Sequence, residues 1–209
     1  MSSLAATEDH VTREPAKVIQ PAWVRVMHWI NALAMILMIM SGWQIYNASP
    51  LFGFTFSRSI TLGGWLAGAL LWHFAAMWLL MINGLAYLIV GLATGRFRKK
   101  LLPITPNGVF ADLKAALTFK LAHDDLSTYN YVQRLLYAGI IVVGVVIVLS
   151  GLSIWKPVQF HYLTALFGGY DVARYVHFVC MSLICLFLIV HVALAILVPK
   201  SLRAMIIGR

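Results

Sequence analysis

Apolar residues run through this chain in four long blocks, separated by shorter stretches where polar residues and turn formers gather. The blocks cover about Ala22 to Tyr46, Leu62 to Leu92, Tyr131 to Trp155 and Val172 to Val198. Each is long enough to cross about 30 Å of hydrocarbon as an α-helix. The pattern predicts an all-α membrane protein, a bundle of four transmembrane helices over residues 21–209, behind a polar N-terminal segment 1–20. The first block is longer than the apolar part of a signal peptide and follows Glu8, Asp9 and Glu14, so it is expected to persist as a span.

The connection over residues 93–130 is the longest. It opens with the basic run Arg96 to Lys100, and Pro103 and Pro106 then interrupt helix. From Val109 the apolar positions Phe110, Leu113, Ala116, Leu117 and Leu121 recur at helical spacing, with Lys114 and Lys120 among them. This spacing predicts an amphipathic helix on the membrane surface; an irregular solvated loop is the alternative.

Composition agrees with the blocks. Of 209 residues 61% are hydrophobic and 11% charged, less than half the charged share of a typical soluble domain. The net charge of +9 does not point to nucleic acid, because the basic residues flank apolar blocks instead of forming a basic domain. Thirteen of the sixteen Lys and Arg fall on one side of the predicted bundle: Arg13, Lys17 and Arg25, then seven between the second and third spans, then Lys200, Arg203 and Arg209. Arg58, Lys156 and Arg174 fall on the other. The richer side is expected to be cytoplasmic, with both termini there. Cys180 and Cys185 form neither CxxC nor CxxCH, so any haem here is expected to be held by coordination rather than thioether bonds.

Seven histidines occur, and His10, His123 and His161 lie in polar segments. His28, His73, His177 and His191 lie inside the blocks, where ionisable side chains are costly and face the bundle interior with a partner. One such histidine is readily explained as a hydrogen bond between helices; four at regular depths are not. His28 and His191 sit near the cytoplasmic ends of their spans, His73 and His177 nearer the outer ends, giving one pair per leaflet. His177 and His191 are fourteen residues apart, about 40° short of four full turns and about 21 Å along the axis. Both rings therefore leave one face, and two cofactors would stack within one bilayer. Neutral imidazole is a good axial ligand for haem iron, and two imidazoles fill both axial positions. Zinc or copper stays open, although zinc normally takes three or four protein ligands together.

Arg25 precedes His28 by three residues and Arg174 precedes His177 by three. Each lies one turn nearer the membrane surface, which suits a haem propionate; interfacial snorkelling is the competing account. Gly42 follows His28 by fourteen residues and Gly84 follows His73 by eleven, each close to the histidine face. A missing side chain there admits a flat ring, or simply lets helices pack.

With Arg25-Val26-Met27-His28-Trp29, His73, and Arg174-x-x-His177 with His191, the chain resembles the bacterial cytochrome b561 and nickel-iron hydrogenase b-type cytochrome family from about residue 20 onward. The segment His123 to Arg134 is similar to the thiosulfate-reductase-type branch. The resemblance implies a bacterial inner membrane location and two bis-histidine haem b groups, paired His28 with His191 and His73 with His177. It also implies a periplasmic molybdopterin or hydrogenase-type partner.

The expected function is electron transfer between the quinone pool and that partner; no catalytic triad, phosphate-binding loop or carboxylate pair suggests other chemistry. A stand-alone superoxide:quinone oxidoreductase of the same fold is the alternative, and a small transporter with histidine relays is a third reading. For the quinone the start of the third span offers Tyr129, Asn130, Gln133 and Arg134, of which the last three share a helical face. A capping or headgroup role competes for the same residues.

Overall fold

The computed structural model describes residues 18–118 and 128–208. Residues 1–17 with Arg13 and Lys17, residues 119–127 with Lys120, Leu121 and His123, and Arg209 lie outside the described residues. Four long helices carry the fold: α1 (Ala22–Ala48), α2 (Leu66–Ala93), α5 (Tyr131–Trp155) and α7 (Tyr170–Leu197). Four short ones join or follow them: α3 (Arg96–Leu101), α4 (Pro106–Leu117), α6 (His161–Leu166) and α8 (Pro199–Ile207).

The four apolar blocks are the four long helices, each long and apolar enough to cross a membrane. The third block matches α5 at both ends. Helix α2 starts four residues later than its block, because Gly63 and Gly64 take φ of 107° and 70°, outside helical geometry. Large apolar side chains point outward all around the bundle, for example Leu71 at 75% exposure and Val142 at 61%. Such a surface is stable against lipid and not against water.

Helix α1 packs closely along α2, and α5 along α7, as two antiparallel hairpins. Across the gap between hairpins, α7 has no comparably close backbone packing with α1 or α2 among the described residues. His28 of α1 and His191 of α7 meet across that gap.

The described chain ends meet on one face of the bundle. The Ile19 amide donates to the Gly208 carbonyl at 2.8 Å, and Arg25 Nη1 donates to Ile206 O at 2.7 Å. Helices α3, α4 and α8 lie on this same face, here called the basic face. The opposite, far face carries the connections 49–65 and 156–169.

Helix α4 leaves Phe110 and Leu113 exposed. It begins at Pro106 rather than Val109: proline is compatible with the first turn of a helix, where its missing N–H is not needed, so this residue starts the helix instead of interrupting it. Helix α3 forms within the basic run that the sequence pattern left unassigned.

The thirteen-to-three charge asymmetry of the sequence predicts that the basic face is the cytoplasmic one. Alkaline phosphatase fused after Arg209 should then be inactive, and a fusion near His161 active. The reverse pair of results would invert the topology.

Candidate functional site

Burying imidazole in an apolar bundle requires partners, and the structure pairs the histidines by depth. Nearer the basic face, His28 of α1 and His191 of α7 face each other across the gap, with ring centroids 6.0 Å apart and planes at 51°. Nearer the far face, His73 of α2 lies within electrostatic reach of His177 of α7. Helix α7 thus contributes one ring to each pair, as the fourteen-residue spacing requires.

The separation of His28 and His191 suits two imidazoles on one iron. An iron holding an imidazole nitrogen about 2 Å away on each side, with each ring centre about 1 Å behind its nitrogen, sets the ring centres about 6 Å apart. The His28–His191 separation fits this. The donor chemistry fits as well: among the described residues no three His, Cys, Asp or Glu side chains converge, so each site offers two imidazoles and not a zinc tetrad. Around the inner rings, Phe187 stacks on His191 at 5.5 Å and Trp29 stands edge-on to His28 at 5.1 Å, so aromatic walls flank the gap.

The far pair is held by hydroxyls. Ser41 Oγ lies 3.0 Å from His73 Nδ1, and Ser150 Oγ lies 3.2 Å from His177 Nδ1. The Ile147 carbonyl lies 3.0 Å from His177 Nδ1. A carbonyl only accepts, so Nδ1 carries the proton and Nε2 keeps its lone pair for a metal. Next to each serine is a glycine: a Cβ on Gly42 would stand 3.5 Å from His73 Cε1, and one on Gly151 would stand 3.1 Å from His177 Cε1. Gly42 thus meets the ring of the other leaflet's pair, while a Cβ on Gly84 would meet nothing within 4 Å.

Both arginines are anchored to the backbone. Arg25 reaches Ile206 O, and its buried Nε has no hydrogen-bond partner among the described residues. Arg174 Nη2 donates to the Ser49 carbonyl and to Ser49 Oγ at the end of α1.

At the start of α5, Asn130 Oδ1 accepts from the Gln133 amide at 2.7 Å, and Gln133 Oε1 accepts from the Asn130 amide at 3.1 Å. This reciprocal pair is a capping box, which satisfies amides that the first helical turn leaves open. Arg134 Nε donates to Tyr129 O and Nη1 to Pro103 O, each at 3.0 Å. These three side chains close the helix and fix the preceding loop. The polar contact network lies one residue earlier. Tyr129 Oη accepts from Gln20 Nε2 at 3.4 Å, and Gln20 Oε1 accepts from Arg96 Nη2 at 2.7 Å. Ring contacts run inward from there, Tyr129 to Tyr137 at 5.0 Å, Tyr137 to Phe187 at 6.4 Å, and Phe187 to His191.

Sequence reasoning missed Ser41, Ser150, Gly151, Gln20, Arg96 and the buried Asn83, whose Nδ2 donates to Met27 O and Asn31 Oδ1 at 2.8 Å each. A signal existed for the first three, since Ser-Gly occurs in both the first and third spans, at 41–42 and 150–151.

Residues 19–208 match the family model described as prokaryotic cytochrome b561. The chain is also similar to a protein of Azospira oryzae (strain ATCC BAA-33 / DSM 13638 / PS) that bears the name "Putative protein-methionine-sulfoxide reductase subunit YedZ1". The two are 53% identical over 190 residues, covering 91% of this chain and 96% of that protein.

Proposed function

This chain belongs to the prokaryotic cytochrome b561 family, membrane proteins that bind b-type haem and transfer electrons, and from that premise we propose that it joins the quinone pool to an outer reductase through two haems. The observation that carries the reading is the stacking of two histidine pairs at different depths between the hairpins. His28 and His191 would hold the cytoplasmic haem, His73 and His177 the outer one. Bound haem supplies one-electron transfer, and filled axial positions favour that over oxygen binding. The chain's own groups set the rest. Gly42 and Gly151 keep the space beside the outer rings clear. Arg25 and Arg174, one turn nearer the surface than His28 and His177, suit the propionates.

A quinol gives up two electrons and two protons, so its oxidation needs a polar pocket at the membrane edge beside a redox centre. Tyr129, Gln20 and Arg96 form a hydrogen-bonded polar cluster on the basic face that would serve, connected by aromatic side chains to His191. The Asn130–Gln133 capping box and Arg134 border it and hold Tyr129 in place. On the far face, Phe52 and Phe54 cluster with Phe178, next to His177. The outer partner docks over this face. The name of the Azospira relative supports a partner that reduces methionine sulfoxide, a reaction that consumes two electrons and two protons and releases water. It also favours a subunit over a stand-alone superoxide:quinone oxidoreductase.

In proteoliposomes, a quinol analogue should reduce the haems of the purified chain, and an oxidised methionine-sulfoxide reductase added outside should reoxidise them. Haem that the quinol reduces but the reductase leaves reduced would remove that partner. Superoxide turnover by the chain alone would favour the stand-alone enzyme.

A further inference from the structure

The far-face histidines are held in a way that His28 is not. Ser41 and Ser150 are each 0% exposed, hydroxyls buried inside the bundle. Each spends its own proton on its helix: Ser41 Oγ donates to Leu37 O at 2.6 Å, and Ser150 Oγ donates to Ile147 O at 3.1 Å. With that proton engaged, the oxygen lone pairs are free to accept, and in each case the group within reach is a histidine Nδ1. The backbone supports the same polarity at His177, where Ile147 O lies beside Nδ1. The following glycine brings the hairpin partner close enough for the contact. The arrangement occurs twice, from α1 onto α2 and from α5 onto α7, on the same Ser-Gly dipeptide. His28 Nδ1, by contrast, is buried and has no hydrogen-bond partner among the described residues.

We propose that Ser41-Gly42 and Ser150-Gly151 are a duplicated positioning element that orients both axial ligands of the outer haem and sets its potential below that of the same site without the serine hydroxyls. A hydrogen bond accepted from Nδ1–H fixes the ring and pushes electron density toward Nε2, making imidazole a more basic ligand. A more basic ligand stabilises ferric over ferrous iron, so the midpoint falls. The inference rests on His73 and His177 being axial ligands.

The test is a redox titration of the purified chain, followed optically and by the low-spin ferric electron paramagnetic resonance signals, with haem counted in the same samples. Ser41→Ala and Ser150→Ala should each raise the midpoint of one haem and shift its low-spin signal, with a larger shift in the double variant. The haem that moves should be the one missing from His73→Ala, and the other midpoint should stay put. Ser41→Thr and Ser150→Thr, which keep the hydroxyl, should restore the wild-type potential, which a purely structural role for the serines does not predict. Two haems with unmoved midpoints in the double alanine variant would overturn this inference alone. A shift confined to the haem missing from His28→Ala would overturn it as well. Fewer than two haems in the wild type would overturn the ligand assignment beneath it.

Discussion

His73→Ala or His177→Ala should halve the haem content, from two per chain to one, and leave the haem nearer the basic face with its spectrum intact. His28→Ala or His191→Ala should do the converse. The selectivity follows from depth: fourteen residues on α7 separate His177 from His191 by about 21 Å, so no ring can serve both sites. One histidine to alanine change leaves its iron with a single protein ligand and opens a cavity in the gap between hairpins. Electron transfer between the two faces should stop in all four variants, because either haem alone leaves a gap across half the bilayer. Circular dichroism of each variant separates haem loss from unfolding, and pyridine haemochrome analysis gives the count. Loss of both haems from a folded single variant would mean that the sites are not independent.

The second large effect concerns the quinone. Tyr129→Leu together with Arg96→Ala should slow haem reduction by a quinol analogue about tenfold or more, the equivalent of removing one or two hydrogen bonds at the reacting headgroup. Both haem spectra should be unchanged, since neither residue touches a histidine. Asn130→Ala should behave differently. It removes half of the capping box and should cost about 1 kcal/mol at the start of α5, with a smaller kinetic effect transmitted through Tyr129. If the Asn130 variant is as slow as the Tyr129 and Arg96 double variant, the headgroup contacts the capping residues themselves. Unchanged kinetics in the double variant would move the site away from the basic face.

The contrast between Asn130 and Tyr129 shows what a sequence carries and what it hides. Long apolar blocks are legible because lipid makes the same demand of every residue in a span, and α5 was readable to both of its ends. The histidines were legible for the same reason: a polar ring in such a block is conspicuous, and helix geometry turns its spacing into a face and a depth. Serine is not conspicuous. Ser41 and Ser150 look like small residues suited to helix packing, and only the neighbouring helix reveals that their oxygens meet imidazole. Gly151 was passed over because it lies in the one span without a histidine, although its ring contact is tighter than that of Gly42. Gln20 and Arg96 lie 76 residues apart and meet only because the second hairpin helix returns to the face where the first began. Asn130, Gln133 and Arg134 share a face, as their spacing requires, yet that face is spent on closing the helix and tethering the loop.

Helices α3 and α8 were hidden for another reason. Both are short and partly charged, and each is fixed by contacts from afar: Phe97 of α3 against Tyr87, and Ile206 of α8 against Arg25. Helix α8 begins on Pro199 and stops at Gly208, which takes a left-handed φ of 89° and accepts from Ile19. These contacts lock α1 and α7 together at the basic face, beside the histidines that pair across them.

All of this depends on two haems in one chain. Pyridine haemochrome analysis of the purified wild-type protein, set against its amino-acid content, measures that number directly. Two b-type haems per chain is the expected result; one haem, or none, would contradict the account.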